Sequence, residues 1–192
     1  KIKAIELFGI FAQERASTGR VYLQNVDHCN THSPFDPKVA PVRMSNLCLE
    51  IALPTKPLND INDETGEIAL CTLSAINLGT LDSLDEMEEL SDLAVRALDS
   101  LLDYQGYPIP AAKNASLGRR TLGIGVINFA YYLAKNNVRY SDGSAKALTH
   151  QTFEALQYYL MKASANLAKE FGPCPLFEET TSVSYTHLTL PT

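Results

Sequence analysis

The sequence predicts a mixed α/β fold of about one domain's size, and three observations carry that reading. Short strand-like runs broken by Pro and Gly occupy residues 20–73, apolar residues recur at helical spacing from Ser83 onward, and 45% of the 192 positions are hydrophobic. A chain of this length and make-up buries a sizeable core, which excludes disorder and collagen-like repeats. Sixteen Lys and Arg against twenty-two Asp and Glu leave a formal charge of −6. No basic run is present to neutralise a row of phosphates, so nucleic-acid binding is disfavoured. No apolar run approaches the roughly 20 residues that span a bilayer, and Lys1-Ile2-Lys3-Ala4 lacks the apolar core of a signal peptide. The expectation is a soluble, cytoplasmic protein with no membrane contact. Cys29, Cys48, Cys71 and Cys174 form no C-x-x-C pair, so catalytic, redox and simply buried thiols all stay open.

The elements follow in chain order. The chain opens on Lys1 rather than Met and runs at once into Ile5, Leu7, Phe8, Ile10 and Phe11 with no cap before them, so it reads as a fragment that starts mid-helix. That helix is expected to end near Ala16, where Ser17-Thr18-Gly19 supply turn chemistry. Residues 20–26 alternate enough for a strand. An extended loop from Asp27 to Pro41 follows, with Pro34, Pro37 and Pro41 each disfavouring helix at the preceding residue. Residues 45–53 read as a short strand ended by Pro54, and residues 67–73 as a second strand beyond the turn-forming stretch 59–66. Ser83 and Glu86 make a capping box for a helix whose apolar face is Leu90, Leu93, Ala94, Ala97, Leu98 and Leu101. A second helix is expected over about 126–135, after the flexible Leu122-Gly123-Ile124-Gly125. A third runs from the cap Ser144 to Phe171, with Leu148, Leu156, Tyr159, Leu160, Ala163 and Leu167 as its stripe and Gly172-Pro173 as its stop.

Chemistry concentrates at Asn46-x-Cys48-x-Glu50. In an extended chain, residues two apart share a face about 6.6 Å from each other, which would align amide, thiol and carboxylate while Leu47 and Leu49 pack behind. A thiol serves as nucleophile or one-electron donor, a carboxylate moves protons, and an amide orients a hydroxyl. Taken alone, the triplet is weak and reads more readily as an ordinary polar-alternating strand with a buried cysteine.

Its surroundings change the balance. The runs Glu14-Arg15-Ala16-Ser17-Thr18-Gly19-Arg20, Asn25-Val26-Asp27-His28-Cys29-Asn30-Thr31-His32-Ser33-Pro34-Phe35, Ser45-Asn46-Leu47-Cys48-Leu49-Glu50-Ile51 and Arg119-Arg120-Thr121-Leu122-Gly123-Ile124-Gly125-Val126-Ile127-Asn128-Phe129-Ala130 occur in one order. Together they resemble the large, catalytic subunit of class I ribonucleotide reductase, in its bacterial class Ia form, over about residues 1–181. The resemblance implies part of a ten-stranded α/β barrel, built from two five-stranded parallel halves with the reactive cysteine on a loop inside. It implies that Cys48 forms a transient thiyl radical that removes hydrogen from C3′ of a ribonucleoside diphosphate. Glu50 then takes the 3′-hydroxyl proton, Asn46 holds the ribose, and residues Asn46, Leu47, Cys48, Leu49 and Glu50 form the substrate-binding segment. Cys71 is implied as one half of a redox dithiol whose partner lies upstream of this chain, whereas Cys29 matches a non-redox position.

The resemblance also implies partners for the parent protein. These are ATP and deoxynucleotide effectors, a small radical-generating subunit that carries the metal-radical cofactor, thioredoxin or glutaredoxin as reductant, and a dimeric state. The fragment itself is expected to bind no cofactor and to be inactive. Residues 182–192 are uncharged and depart from the family pattern, so they read as a non-family tail of artefactual origin. Two other readings stand beside this one: a cobalamin-dependent reductase, which Leu47 and Leu49 disfavour, and a non-catalytic truncated remnant, against which the presence of Asn46, Cys48, Glu50 and Cys71 argues.

The remaining motifs have plainer readings. His28, Cys29 and His32 crowd one loop without a second ligand cluster, so a hydrogen-bonded loop is preferred to a zinc site. Gly123-x-Gly125 lacks the third glycine of a dinucleotide loop and reads as a tight helix entry. Asp85, Glu86, Glu88 and Glu89 favour the positive end of a helix and form a solvated face. Tyr131, Tyr132, Tyr158 and Tyr159 are expected in the core, and Cys174 as a structural thiol.

Overall fold

A computed structural model describes residues 1–181, and the expected non-family tail, 182–192, lies outside the described residues. The chain forms two compact units. The first comprises Lys1–Thr55 with the residues from Glu179 onward, the second Lys56–Glu178.

The first unit opens with α1 (Ala4–Thr18), two residues longer than the sequence suggests. Thr18 Oγ1 donates to Glu14 O at 2.7 Å, and Ser17 Oγ bonds Gln13 O in the same way. These side chains bond back one turn and extend the helix where they would otherwise start a turn. Gly19 ends it in the left-handed region (φ 65), donating its N–H to Arg15 O at 3.0 Å. No residue of α1 is buried. The expected strand at 20–26 is absent, because alternation makes a strand only where a ladder partner exists, and these residues join no ladder. The expected extended loop also begins with a helix, α2 (Val26–Thr31). Beyond it, Asn30 clamps the chain at Val42: its Oδ1 accepts from Val42 N and its Nδ2 donates to Val42 O, both at 2.8 Å. Phe35, Ala40, Val42 and Pro54 are buried here, and Thr181 N donates to Pro34 O at 2.7 Å.

The second unit is an α/β layer. Of the expected strand 67–73 only the two ends pair, Glu67 with Lys56 in an isolated bridge and Leu73 as the first residue of the regular strand β1 (Leu73–Asn77). The Ser83 capping box forms as expected: Ser83 N donates to Glu86 Oε1 at 2.8 Å and Asp85 N to Ser83 Oγ at 3.1 Å. A single 3-10 turn, Leu84–Glu86, leads into α3 (Met87–Tyr104). The face that α3 buries is Met87, Ser91, Val95, Leu98 and Leu102, which shares only Leu98 with the expected stripe. Apolar residues cover more than one arc of this helix, and the neighbours packed on it select the arc.

The helix α4 (Pro110–Arg119) was not anticipated, although Pro110 at its first position and the run of alanines are its signals. Next comes β2 (Gly123–Ile127), where flexible chain and a helix entry were expected. It runs parallel to β1, in register from Leu73 opposite Gly123 to Asn77 opposite Ile127. Gly123 suits this pairing because a Cβ there would fall 2.6 Å from Leu73 Cδ2. The helix α5 (Phe129–Lys135) follows the left-handed Asn128, and α6 (Ala145–Phe171) runs to Gly172 as the sequence predicts. The core gathers Ile76, Leu78, Leu81, Met87, Tyr132 and Leu156, with Leu148, Tyr159 and Leu160 packed against it. Tyr132 Oη lies 3.1 Å from Thr152 Oγ1, but Tyr131 and Tyr158 are exposed, which corrects the expectation that all four tyrosines are core.

Carboxylates tie the helices together. Arg120 donates from Nε to Asp99 Oδ1 at 2.6 Å and from Nη2 to Asp103 Oδ2 at 2.8 Å, so α4's end is fastened to α3. Arg96 of α3 bonds Glu170 of α6. These hydrogen bonds from arginine hold the Asp103 and Glu170 carboxyls below their ordinary range. A carboxyl whose pKa is lower in the folded state stabilises the fold above its unfolded pKa, and loses that contribution as pH falls through the folded value. The urea midpoint is therefore expected to hold from neutral pH to about 5 and to decline below about 4, the range where free carboxyls protonate. Circular dichroism in urea across that range checks this, and a constant midpoint down to about pH 2 contradicts it.

Candidate active site

Residues 45–51 form a closed turn where the sequence predicts a strand. Leu49 N donates to Asn46 O at 3.1 Å, and Leu49 sits at φ 65, a left-handed value uncommon for a residue with a Cβ. The Asn46 side chain closes the loop, its Oδ1 accepting from Ile51 N at 3.1 Å and from Ser45 Oγ at 3.2 Å. Ser45 Oγ also lies 2.7 Å from Ile51 O. Ser and Asn here offer the backbone local partners that compete with a sheet ladder, and no strand pairs with this segment to outbid them.

The turn changes the chemistry's layout. The 6.6 Å spacing on a common face belongs to extended chain and does not carry across it. Asn46 is half-buried and bonded into its own loop, while Cys48 and Glu50 are exposed. Leu47, expected to pack behind them, is 88% exposed, and Leu49 is half-buried. Asn46, Cys48 and Glu50 thus share one short loop, with Asn46 at its base and the thiol and carboxylate facing outward.

Cys71 belongs to the second unit. It is exposed on the extended segment between Glu67 and β1, next to the buried Thr72, whose carbonyl accepts from Gly123 N at 2.9 Å. Four residues before it lies a feature that sequence reading missed. The Glu67 side chain is 6% exposed and meets Arg119, 3% exposed, at 2.6 Å, with Lys56 Nζ at 2.7 Å from its other oxygen. Burial pushes the Glu67 carboxyl up, but the hydrogen bonds and charges of Arg119 and Lys56 outweigh burial and hold it below its ordinary range. No spacing rule could have found this pair, because its members are 52 residues apart.

The other candidates settle into structural places. Cys29 is half-buried, with Gln24 Nε2 3.4 Å from its sulfur, and His32 Nδ1 lies 3.0 Å from His28 O. Among the described residues, no three His, Cys, Asp or Glu side chains gather in a way that could hold a metal ion. Asp85, Glu86, Glu88 and Glu89 are all exposed at the start of α3. Burial pushes the half-buried Cys174 thiol above its ordinary range. No helix among the described residues is long and apolar enough to cross a membrane.

Comparison with known proteins covers both units at once. A family model described as "Ribonucleotide reductase, barrel domain" matches residues 1–189. The chain is 76% identical over 180 residues to the "Ribonucleoside-diphosphate reductase subunit alpha" of Haemophilus influenzae and 78% identical over 181 residues to the "Ribonucleoside-diphosphate reductase 1 subunit alpha" of Escherichia coli K12. A phage T4 "Ribonucleoside-diphosphate reductase subunit alpha" is 51% identical over 180 residues. In each case the match takes in 94% of this chain and 23–24% of the relative, so the chain spans about a quarter of the length of the curated relatives it matches. The parallel strands with their flanking helices are a section of that α/β barrel, and the chain belongs to the ribonucleotide reductase barrel-domain family.

Proposed function

We propose that the full-length protein containing this chain reduces ribonucleoside diphosphates to 2′-deoxyribonucleoside diphosphates, and that residues 1–181 are a section of its catalytic barrel. The observation that carries the reading is the Asn46-Leu47-Cys48-Leu49-Glu50 loop, which presents a thiol and a carboxylate outward on a turn braced by Asn46. High identity to proteins named as reductase alpha subunits supports it.

In this reading the Cys48 thiyl takes the hydrogen atom from C3′, giving a thiol and a C3′ radical. Glu50 accepts the 3′-hydroxyl proton, and the 2′-hydroxyl leaves as water. Asn46 orients the ribose and at the same time holds the loop's shape. Cys71 and a partner cysteine outside this chain supply two electrons and two protons, one proton completing the water and the other forming the new C2′–H bond, and become a disulfide, after which Glu50 returns its proton to the 3′-oxygen. The hydrogen then returns to C3′ from Cys48, which regenerates the thiyl. The net change converts one ribonucleotide and two thiols into one deoxyribonucleotide, one disulfide and one water. A small subunit with a metal-radical cofactor supplies the oxidising equivalent to Cys48, thioredoxin or glutaredoxin re-reduces the disulfide, and ATP and deoxynucleotides act as effectors. The working protein is a cytoplasmic dimer.

Two cysteine variants of the full-length protein test the assignment. Cys71→Ser is expected to stop repeated turnover while hydrogen exchange at C3′ continues, because only the dithiol step is lost. Cys29→Ser is expected to turn over at close to the normal rate. A folded Cys29→Ser protein without activity overturns the assignment of roles.

A further inference from the structure

We propose that Glu67 is a positioning residue for the Cys71 thiol, fixed in place by its buried contact with Arg119. The proposal rests on the reading of Cys71 as one half of the redox dithiol.

The segment that carries Cys71 is set on its downstream side by the β1–β2 ladder, which begins at Leu73, while residues 68–72 join no ladder themselves. Ile68 and Ala69 are half-buried, Leu70 and Cys71 are exposed, and the buried residue is the polar Thr72. Apolar burial therefore does little to hold residues 68–71 in place. On the upstream side the hold is a set of polar contacts. Glu67 exchanges two backbone hydrogen bonds with Lys56, both at 3.1 Å, and Ile68 N donates to Ala111 O of α4 at 3.0 Å. The Asn114 Nδ2 group of α4 donates to Glu64 O at 2.6 Å. Arg119 of the same helix then takes the Glu67 carboxylate at 2.6 Å, with Lys56 on its other oxygen.

Taking both charges out of water is costly and adds little net stability, but separating the pair is costlier still, because each partner is then left as an unpaired buried charge. The pair also has a downstream counterpart, since Gly123 N holds Thr72 O at 2.9 Å. Cys71 sits between these two anchors with its thiol exposed. Loss of the upstream anchor frees the segment to slide, so the thiol meets its partner in fewer of the chain's conformations.

The test is made in the full-length protein with Glu67→Gln, which keeps the side chain's shape and removes its charge. Alkylation of individual cysteines by iodoacetamide, followed by peptide mass spectrometry, reads the thiol, with Cys48 in the other unit as internal reference. Cys71 is expected to react at least about five-fold faster and Cys48 within about two-fold of its normal rate. The kcat is expected to fall at least about five-fold with the ribonucleotide KM within about two-fold, and the unchanged Cys48 rate separates this from general unfolding, which would lower apparent kcat in the same way. A folded Glu67→Gln protein with unaltered Cys71 alkylation and unaltered kcat overturns the proposal. Should that variant fail to fold, the double variant Glu67→Gln/Arg119→Met removes both buried charges. It is expected to fold with Cys71 still reacting faster, and an unchanged Cys71 rate in it overturns the proposal. Cys71→Ser separates the two readings: full turnover in that variant removes the redox role of Cys71, whereas the alkylation rates judge positioning independently of turnover.

Discussion

Replacing Cys48 by Ser in the full-length protein is expected to reduce turnover at least about 10³-fold, or about 4 kcal/mol on the barrier, while the fold stays intact. A hydroxyl is close to a thiol in size, and Cys48 is exposed on its loop, so the exchange removes no core packing. The loop is held by Asn46, Ser45 and Ile51, none of which the substitution touches. What disappears is the easily oxidised S–H bond, since an alkoxyl radical lies too high in energy to be formed in its place. Turnover of nucleoside diphosphate, measured beside thermal unfolding, checks both halves of this statement. Normal turnover by a folded Cys48→Ser protein removes Cys48 from the radical role.

The largest stability effect is expected from Leu78→Ala. Leu78 is 0% exposed, in the 3-10 turn Leu78–Thr80 that follows β1, and it packs in the cluster of Ile76, Leu81, Met87, Tyr132 and Leu156. Truncation removes buried methyl groups and leaves a cavity, at a cost of about 2–5 kcal/mol. In a unit of this size that corresponds to a fall in Tm of about 10 °C or more. Leu93→Ala is the matched control. Leu93 is 56% exposed on α3, so its truncation is expected to change stability by less than about 0.5 kcal/mol. Equal losses at the two positions would mean that α3 buries the Leu90, Leu93 and Leu101 face instead.

Much of the helical structure was legible because its signals are local. Ser83 with Glu86, Gly19 after α1, and Gly172 after α6 each act within one turn of the helix end that they determine. The site motif was legible for the same reason, being five consecutive residues. Its conformation was not. Alternation from Ser45 to Leu53 favours a strand, but no strand lies beside it, and the Asn46 and Ser45 side chains close a turn. The strand at Gly123–Ile127 failed in the opposite direction. Its two glycines read as flexible chain, yet β1 supplies a parallel partner whose Leu73 needs the space that Gly123 leaves.

The sequence by itself determined the α/β class, the family, the Ser83 cap, the Gly172 stop and the residues of the Asn46-Cys48-Glu50 motif, since each depends on neighbours a few positions apart. Tertiary structure alone decided which arc of α3 is buried, that β1 pairs with β2 across 50 residues, and that Glu67, four residues before Cys71, is held by Arg119. These are choices among locally equivalent options. Packing and the desolvation of charge settle them, and both are properties of elements that meet only once the chain has folded.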